Sequence, residues 1–302
     1  MLFEHRAFWL AKDVQNPDGY EDAFRVDGAR GVAAVCDGVA SSIFSGRWAQ
    51  ILANETVAQP PNVNDLDALG AWLKRARDAW SQSIDDTALA WHQKPKMLDG
   101  ASSTLLWVQV VASVAPDGIP RPYRVWSFSI GDCCLFHVRA NQVLQTFPIQ
   151  ASAEFDEHPQ AIRSVFKRSD NVAFEAIETE CNPDDLLFLC TDAVAAWTMR
   201  QLELGTTLDW ESYWNMSPEQ WQEWVLQLRQ ENQIRFDDST VVLLRVGGGG
   251  PSPARRAGRV EESLLDTAET KIRGAFKTLK GSLRKGLRDI SQSKWLEDDE
   301  SE

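Results

Sequence analysis

One stretch constrains the fold more than any other: "RPYRVWSFSIGDCCLFHVRANQVLQTF", residues 121–147. It reads as strand, tight Gly-Asp turn, strand, Ala-Asn turn and strand, a meander with two-residue turns. Such turns leave no room for a helical crossover, so these strands are antiparallel. Further apolar runs rich in valine, phenylalanine and leucine give strands near 6–12, 22–26, 31–36, 103–112, 186–190 and 240–246. Helical spacing is expected over 45–58, 66–91, 193–202 and 218–230; in the second of these, Leu66, Leu69, Leu73, Ala76 and Trp80 fall on one face. The 31–36 run taken alone also suits a strand of a parallel α/β sheet. The meander favours two antiparallel sheets with helices packed outside, an α+β fold in a four-layer α-β-β-α sandwich.

Composition bounds the rest. The 302 residues are 43% hydrophobic, enough for one large domain with an appendage. "GGGGPSPARRAG" at 247–258 reads as a flexible linker between a domain at 1–246 and a tail at 259–302. In the tail, Ile272, Phe276, Leu279, Leu283, Leu287 and Ile290 share one helical face, and Lys271, Arg273, Lys277, Lys280, Arg284 and Arg288 the other. A basic amphipathic helix of this kind docks on a protein partner or, second, on an anionic membrane. The net charge of −13 argues against a nucleic-acid partner, because neutralising phosphates takes a basic face. The N-terminal "MLFEHRAFWLAKDVQ" has no long apolar run, and so reads as neither a secretory signal nor a membrane span. Five cysteines show no C-x-x-C pairing and sit mostly in strand-like runs, the pattern of buried reduced thiols in a cytoplasmic protein.

The chemistry lies in carboxylates placed at strand ends. They occur in "GYEDAFRV" (Glu21, Asp22), "AAVCDGVA" (Asp37), "FSIGDCCLF" (Asp132), "LLFLCTDAVAAW" (Asp192) and "IRFDDSTVVLLRV" (Asp237, Asp238). Each alone has an ordinary explanation as a turn, a helix cap or a loop. Carboxylates converging on one end of a sheet layer would repel unless protons or cations neutralise them. An oxygen-only set suits Mg²⁺ or Mn²⁺ rather than zinc, and the four histidines show no ligand spacing.

The order of these motifs resembles the metal-dependent protein serine/threonine phosphatases of type 2C, the PPM family, in its bacterial form. The matching residues are Glu21-Asp22-Ala23, Asp37-Gly38, Ala101-Ser102-Ser103-Thr104, Gly131-Asp132, Leu189-Cys190-Thr191-Asp192 and Asp237-Asp238-Ser239-Thr240-Val241-Val242. Together they span about residues 5 to 246, and "WSFSIGDCCLFHVR" fits the family's hairpin around its Gly-Asp turn. The resemblance implies a β-sandwich carrying Mg²⁺ or Mn²⁺, two ions with a weaker third, at one end. Position by position, Asp37 bridges both metals, Asp192 and Asp237 complete the first site, and Glu21 and the Gly38 carbonyl serve the second. Asp132, with Asp192, matches the third position, Asp22 orients a metal-bound water, and Asp238 ranks below Asp237. The implied chemistry is in-line attack on phosphorus by a hydroxide held between cations about 4 Å apart. The implied partners are phosphoprotein substrates, with a Ser/Thr kinase or its targets in the same signalling.

Two departures stand out. Many members carry a phosphate-gripping arginine four residues before the first glutamate, where this chain has Pro17. Lys12, Arg25 and Arg47 are the candidate substitutes. Arg47 ranks first, on the helix entered straight after Asp37-Gly38, so Asp37, Asp22 and Arg47 are the expected catalytic residues. Val39 follows Gly38 where eukaryotic members often have histidine, which leaves leaving-group protonation to water or another group. The competing readings are a phosphatase-fold module that binds phosphoprotein without turnover, and an adaptor tethered through its tail.

Overall fold

The computed structural model describes residues 1–85, 89, 91, 93–112, 122–155, 159–167 and 174–247. The linker beyond Gly247, the tail at 259–302 and its expected amphipathic helix lie outside the described residues.

Among the described residues, twelve strands and six α-helices follow in chain order. They are β1 (Phe3–Leu10), β2 (Ala23–Asp27), β3 (Val32–Cys36), α1 (Ser45–Ala58), α2 (Leu66–Gln82), α3 (Lys94–Asp99), β4 (Ser102–Ser103), β5 (Leu105–Val111), β6 (Tyr123–Ile130) and β7 (Cys134–Arg139). After these come β8 (Gln142–Phe147), β9 (Ile162–Arg163), β10 (Glu175–Cys181), β11 (Leu186–Cys190), α4 (Asp192–Glu203), α5 (Trp210–Asn215), α6 (Pro218–Gln230) and β12 (Ser239–Val246). One five-stranded sheet runs β1-β12-β11-β7-β8, a second runs β10-β6-β5-β3-β2, and β4 pairs with β9. Every pairing is antiparallel.

The strands read as near-continuous apolar runs because both faces of each sheet are buried, and the two-residue period sorts their side chains between layers. Leu106, Val108 and Val110 of β5 and Val242, Leu244 and Val246 of β12 fill the core between the sheets. Their alternates point outward. Leu105 and Trp107 pack beneath α1 and α2 with Trp48, Leu52 and Trp72, while Val241 and Leu243 pack with Trp197, Trp210 and Trp221 of α4, α5 and α6. Three cores between four layers make the expected α-β-β-α sandwich. The chain's buried tryptophans are part of these cores.

Four features differ from the sequence expectation. Gly131-Asp132 does not close a hairpin, since β6 and β7 belong to different sheets and the chain crosses from one to the other there. Gly131 has φ +94°, a backbone that side chains rarely adopt, and a Cβ would meet Thr104 Cγ2 at 2.5 Å. The second turn of the meander does form: Ala140 and Asn141, with φ of 49° and 64°, join β7 to β8 with the twist that favours two-residue hairpins. Strand β10 was not expected, because its sequence EAIETEC carries three glutamates; it is an edge strand, paired only with β6, and needs little apolar surface. The short helices α3 and α5 were also not expected, and the helix proposed over 66–91 ends at Gln82.

Candidate active site

The acidic motifs gather at one end of the sandwich because strands from both sheets stop there. Asp37 follows β3, Asp132 lies on the crossing between sheets, Asp192 opens α4 after β11, and Asp237 precedes β12. All four line one cleft of about 320 Å³, together with Gly38, Thr104 and Arg235. Asp37 is pinned through its backbone. Its N–H donates to Thr104 Oγ1 at 3.2 Å and its carbonyl accepts from the Thr104 N–H at 2.9 Å. Gly38 has to be glycine for reasons of space: a Cβ would stand 2.6 Å from the Glu21 carbonyl oxygen and 2.8 Å from the Ser45 carbonyl carbon. Its N–H donates to that Glu21 carbonyl at 3.2 Å, which ties the Asp37 loop to the start of β2.

Glu21 and Asp22 stand beside this cleft and line an adjoining cavity of about 640 Å³. The Glu21 carboxylate accepts from Ser45 Oγ and from Lys12 Nζ. Asp22 is buried. Its Oδ2 accepts from Thr191 Oγ1 at 2.9 Å and Thr240 Oγ1 at 2.6 Å, and the Thr240 hydroxyl also meets the Tyr20 hydroxyl. Asp238 accepts from the backbone N–H groups of Lys12 and Glu21, both at 2.6 Å. It is therefore a clamp on the first motif, while its neighbour Asp237 lines the cleft. The clamp was missed in the sequence because Asp-Asp says nothing about which carboxylate turns toward a segment more than two hundred residues away.

The electrostatics follow from crowding. Burial, and then the charges of Asp22, Asp192, Asp132 and Asp237, push the Asp37 pKa well above the usual carboxylate range. Burial and then Asp238 do the same to Asp22. Asp192 is raised by burial and Asp237 although it stands in the first turn of α4, with Arg235 acting in the opposite direction. Asp192 Oδ1 is buried and has no hydrogen-bond partner among the described residues, while Oδ2 accepts from Arg235 Nη1 at 3.1 Å. A crowd of carboxylate oxygens, one of them buried and lacking a donor, fits a hard divalent cation.

The cationic side chains are distributed differently from the expectation. Arg47 does not line the acidic cleft; it lines the adjoining cavity, and its Nη1 donates to the Ser83 carbonyl just past α2. A long guanidinium near the top of α1 ends on the neighbouring helix because an exposed carbonyl there has no helical donor. Lys12 Nζ binds Glu21 and lies 3.9 Å from Asp237 Oδ1. Arg235, which the sequence did not single out, is the residue at the cleft. Its place two residues before Asp237 was the available signal.

A second buried polar group lies outside this cleft. Ligand atoms of His137, Cys181 and Asp185 fall within 4.8 Å of one another. Asp185, however, already accepts from Arg139 Nε at 2.8 Å, Arg139 Nη2 at 2.7 Å, His137 Nε2 at 2.8 Å and the Asn182 N–H at 2.8 Å. The carboxylate is saturated and ties β7 to the turn before β11.

The Protein phosphatase 2C family profile matches residues 11–232. This chain belongs to that family. The match ends before Asp237 and Asp238, which the fold brings into the site from the last loop. Three solved structures of this fold align at TM-scores just above one half. They are the staphylococcal serine/threonine phosphatase Stp1 from Staphylococcus aureus (0.52, 14% identity, 82% of this chain and 96% of that one), PppA, described as a key regulatory component of T6SS in Pseudomonas aeruginosa (0.51, 11%, 82% and 98%), and the catalytic domain of PstP in complex with two manganese ions (0.51, 15%, 81% and 98%). At such identities the likeness is one of fold. No curated protein sequence matches the chain. The 2C membership agrees with the resemblance drawn from the ordered motifs, and the α+β sandwich is the one that resemblance implied.

Proposed function

We propose that this chain is an Mg²⁺- or Mn²⁺-dependent protein serine/threonine phosphatase that hydrolyses phosphoserine and phosphothreonine in proteins, with its catalytic unit at 1–246. The observation that carries this reading is the convergence of Asp37, Asp132, Asp192 and Asp237 on one cleft, their charge unbalanced among the described side chains. The bound cations supply Lewis-acid neutralisation of the phosphoryl oxygens and a nucleophilic water near neutral pH. In this reading Asp37, Asp192 and Asp237 would hold one cation, Asp37 with Glu21 and the Gly38 carbonyl another, and Asp132 with Asp192 a weaker third. Thr191 and Thr240 fix Asp22 Oδ2, and this carboxylate orients the attacking water. No histidine is among the described residues lining the cleft, which leaves protonation of the departing serine or threonine oxygen to water or another group.

The implied partners are phosphoproteins of a Ser/Thr kinase pathway in the cytoplasm, with the tail docking the enzyme on a partner. No helix among the described residues is long and apolar enough to cross a membrane. The deciding experiment measures hydrolysis of p-nitrophenyl phosphate and a phosphothreonine peptide, with Mn²⁺, with chelator, and for Asp37→Asn. Manganese-dependent turnover that Asp37→Asn abolishes is the expected result. Tight phosphopeptide binding without turnover would leave a binding module instead.

A further inference from the structure

Binding a phosphate dianion beside a crowd of carboxylates takes a positive side chain that can enter the same cleft. Pro17 provides none. Lys12 is held on Glu21 and is absent from the lining of the acidic cleft. Arg47 is spent on the Ser83 carbonyl, and Arg25 lines the adjoining cavity. Arg235 alone among the described cationic residues lines the acidic cleft.

Its anchoring is firm at the backbone and loose at the tip. Ile234 beside it is buried, and the Arg235 carbonyl accepts from the Asp237 N–H at 3.0 Å. The guanidinium stands 6.0 Å from the Phe155 ring, with Nη2 at 3.5 Å from the Phe155 carbonyl and Nη1 at 3.1 Å from Asp192 Oδ2. These two bonds use two of the five donors that a guanidinium carries. The side chain is 41% exposed, so its single bond to Asp192 is a weak tether compared with the two-pronged Arg139–Asp185 pair. A carboxylate that turns to a cation gives up this tether, and the planar fork is then left at the cleft with the geometry that pairs with phosphate.

We propose that Arg235 is the substrate-binding residue that grips the phosphoryl group, from the loop before β12 rather than from the first acidic motif. The inference rests on the phosphatase reading above. It also implies that Arg235 competes with metal for Asp192, so removing it does not weaken metal binding.

The test uses the full-length chain loaded with Mn²⁺ and titrates it calorimetrically with inorganic phosphate, comparing wild type with Arg235→Ala and Arg235→Lys. Mn²⁺ affinity is read separately from the spin resonance of the free ion, and folding from the thermal midpoint. Arg235→Ala is expected to weaken phosphate binding roughly tenfold to a hundredfold, as for loss of charge-assisted hydrogen bonds. Mn²⁺ affinity should be unchanged or tighter, and Arg235→Lys should recover part of the phosphate affinity. KM for p-nitrophenyl phosphate should rise more than kcat falls. An unchanged phosphate affinity in Arg235→Ala overturns the inference, as does a loss that tracks weakened Mn²⁺ binding or unfolding, or a wild type that binds no phosphate. The phosphatase reading fails on a different result, the absence of manganese-dependent turnover in wild type.

Discussion

Strand β11 has a carboxylate beyond each end, Asp185 buried and Asp192 partly so, and the two are opposites. Asp185, just before it, receives four hydrogen bonds from Arg139, His137 and the Asn182 N–H. Burial pushes its pKa up, but those donors outweigh burial and hold it below the usual carboxylate value. Asp192, just after the strand, has one oxygen on Arg235 and the other without a partner among the described residues, and its pKa is raised. The same residue type, flanking one strand, is thus satisfied at one end and left wanting at the other. A satisfied carboxylate holds strands together. Unsatisfied carboxylates in a group are costly unless something positive enters, which is why they mark a place for cations.

The contrast can be broken most forcefully at Asp37. Asp37→Asn should cost turnover about a thousandfold, the several kcal/mol of charge stabilisation that metals supply at 1.36 kcal/mol per tenfold. Its thermal midpoint in chelator should rise or stay level, because one repelling charge is gone. A variant that keeps full manganese-dependent activity would remove Asp37 from the site.

Asp185→Asn should do the reverse. It should lower stability by about 3 kcal/mol, since it leaves His137 and the half-exposed Arg139 without their charge partner, while turnover per folded molecule stays near wild type. Urea unfolding at pH 7 checks the first and the specific activity of the folded fraction the second. The sign with pH is fixed by the lowered pKa. Asp185 contributes stability above the usual carboxylate pKa, and that contribution fades as pH falls through its lower folded value. The gap between Asp185→Asn and wild type should therefore narrow at about pH 3. A gap that widens on acidification would mean that the pairing is not what holds this turn.

Metal itself sharpens the comparison further. At a hundredfold excess over its dissociation constant, Mn²⁺ should stabilise wild type by about 2.7 kcal/mol. Asp185→Asn should keep that increment and Asp192→Asn should lose most of it, which differential scanning with and without chelator will read. If Mn²⁺ stabilises Asp192→Asn as much as wild type, the cleft is not its site. The smallest expected effect belongs to Arg47→Ala, which should change KM for p-nitrophenyl phosphate by less than about twofold, as for a surface tie; a large rise in KM would return Arg47 to the phosphate site.

Much of this was legible in the chain itself. Alternating apolar residues at Leu105 to Val111 and Ser239 to Val246 encode which side chain faces which layer, because the strand period is two. The acids stand where apolar runs end, and a run must end where its sheet meets water. Local spacing therefore pointed to the antiparallel sandwich and to the positions of α1 and α6. Spacing says nothing about which strand a run joins or where a long side chain stops. Only the folded chain put β6 and β7 in different sheets, turned Asp238 back to clamp the backbone at Glu21, sent Arg47 to Ser83 and brought Arg235 to Asp192. Those outcomes depend on contacts between residues far apart in sequence, whose partners exist only once the layers have closed.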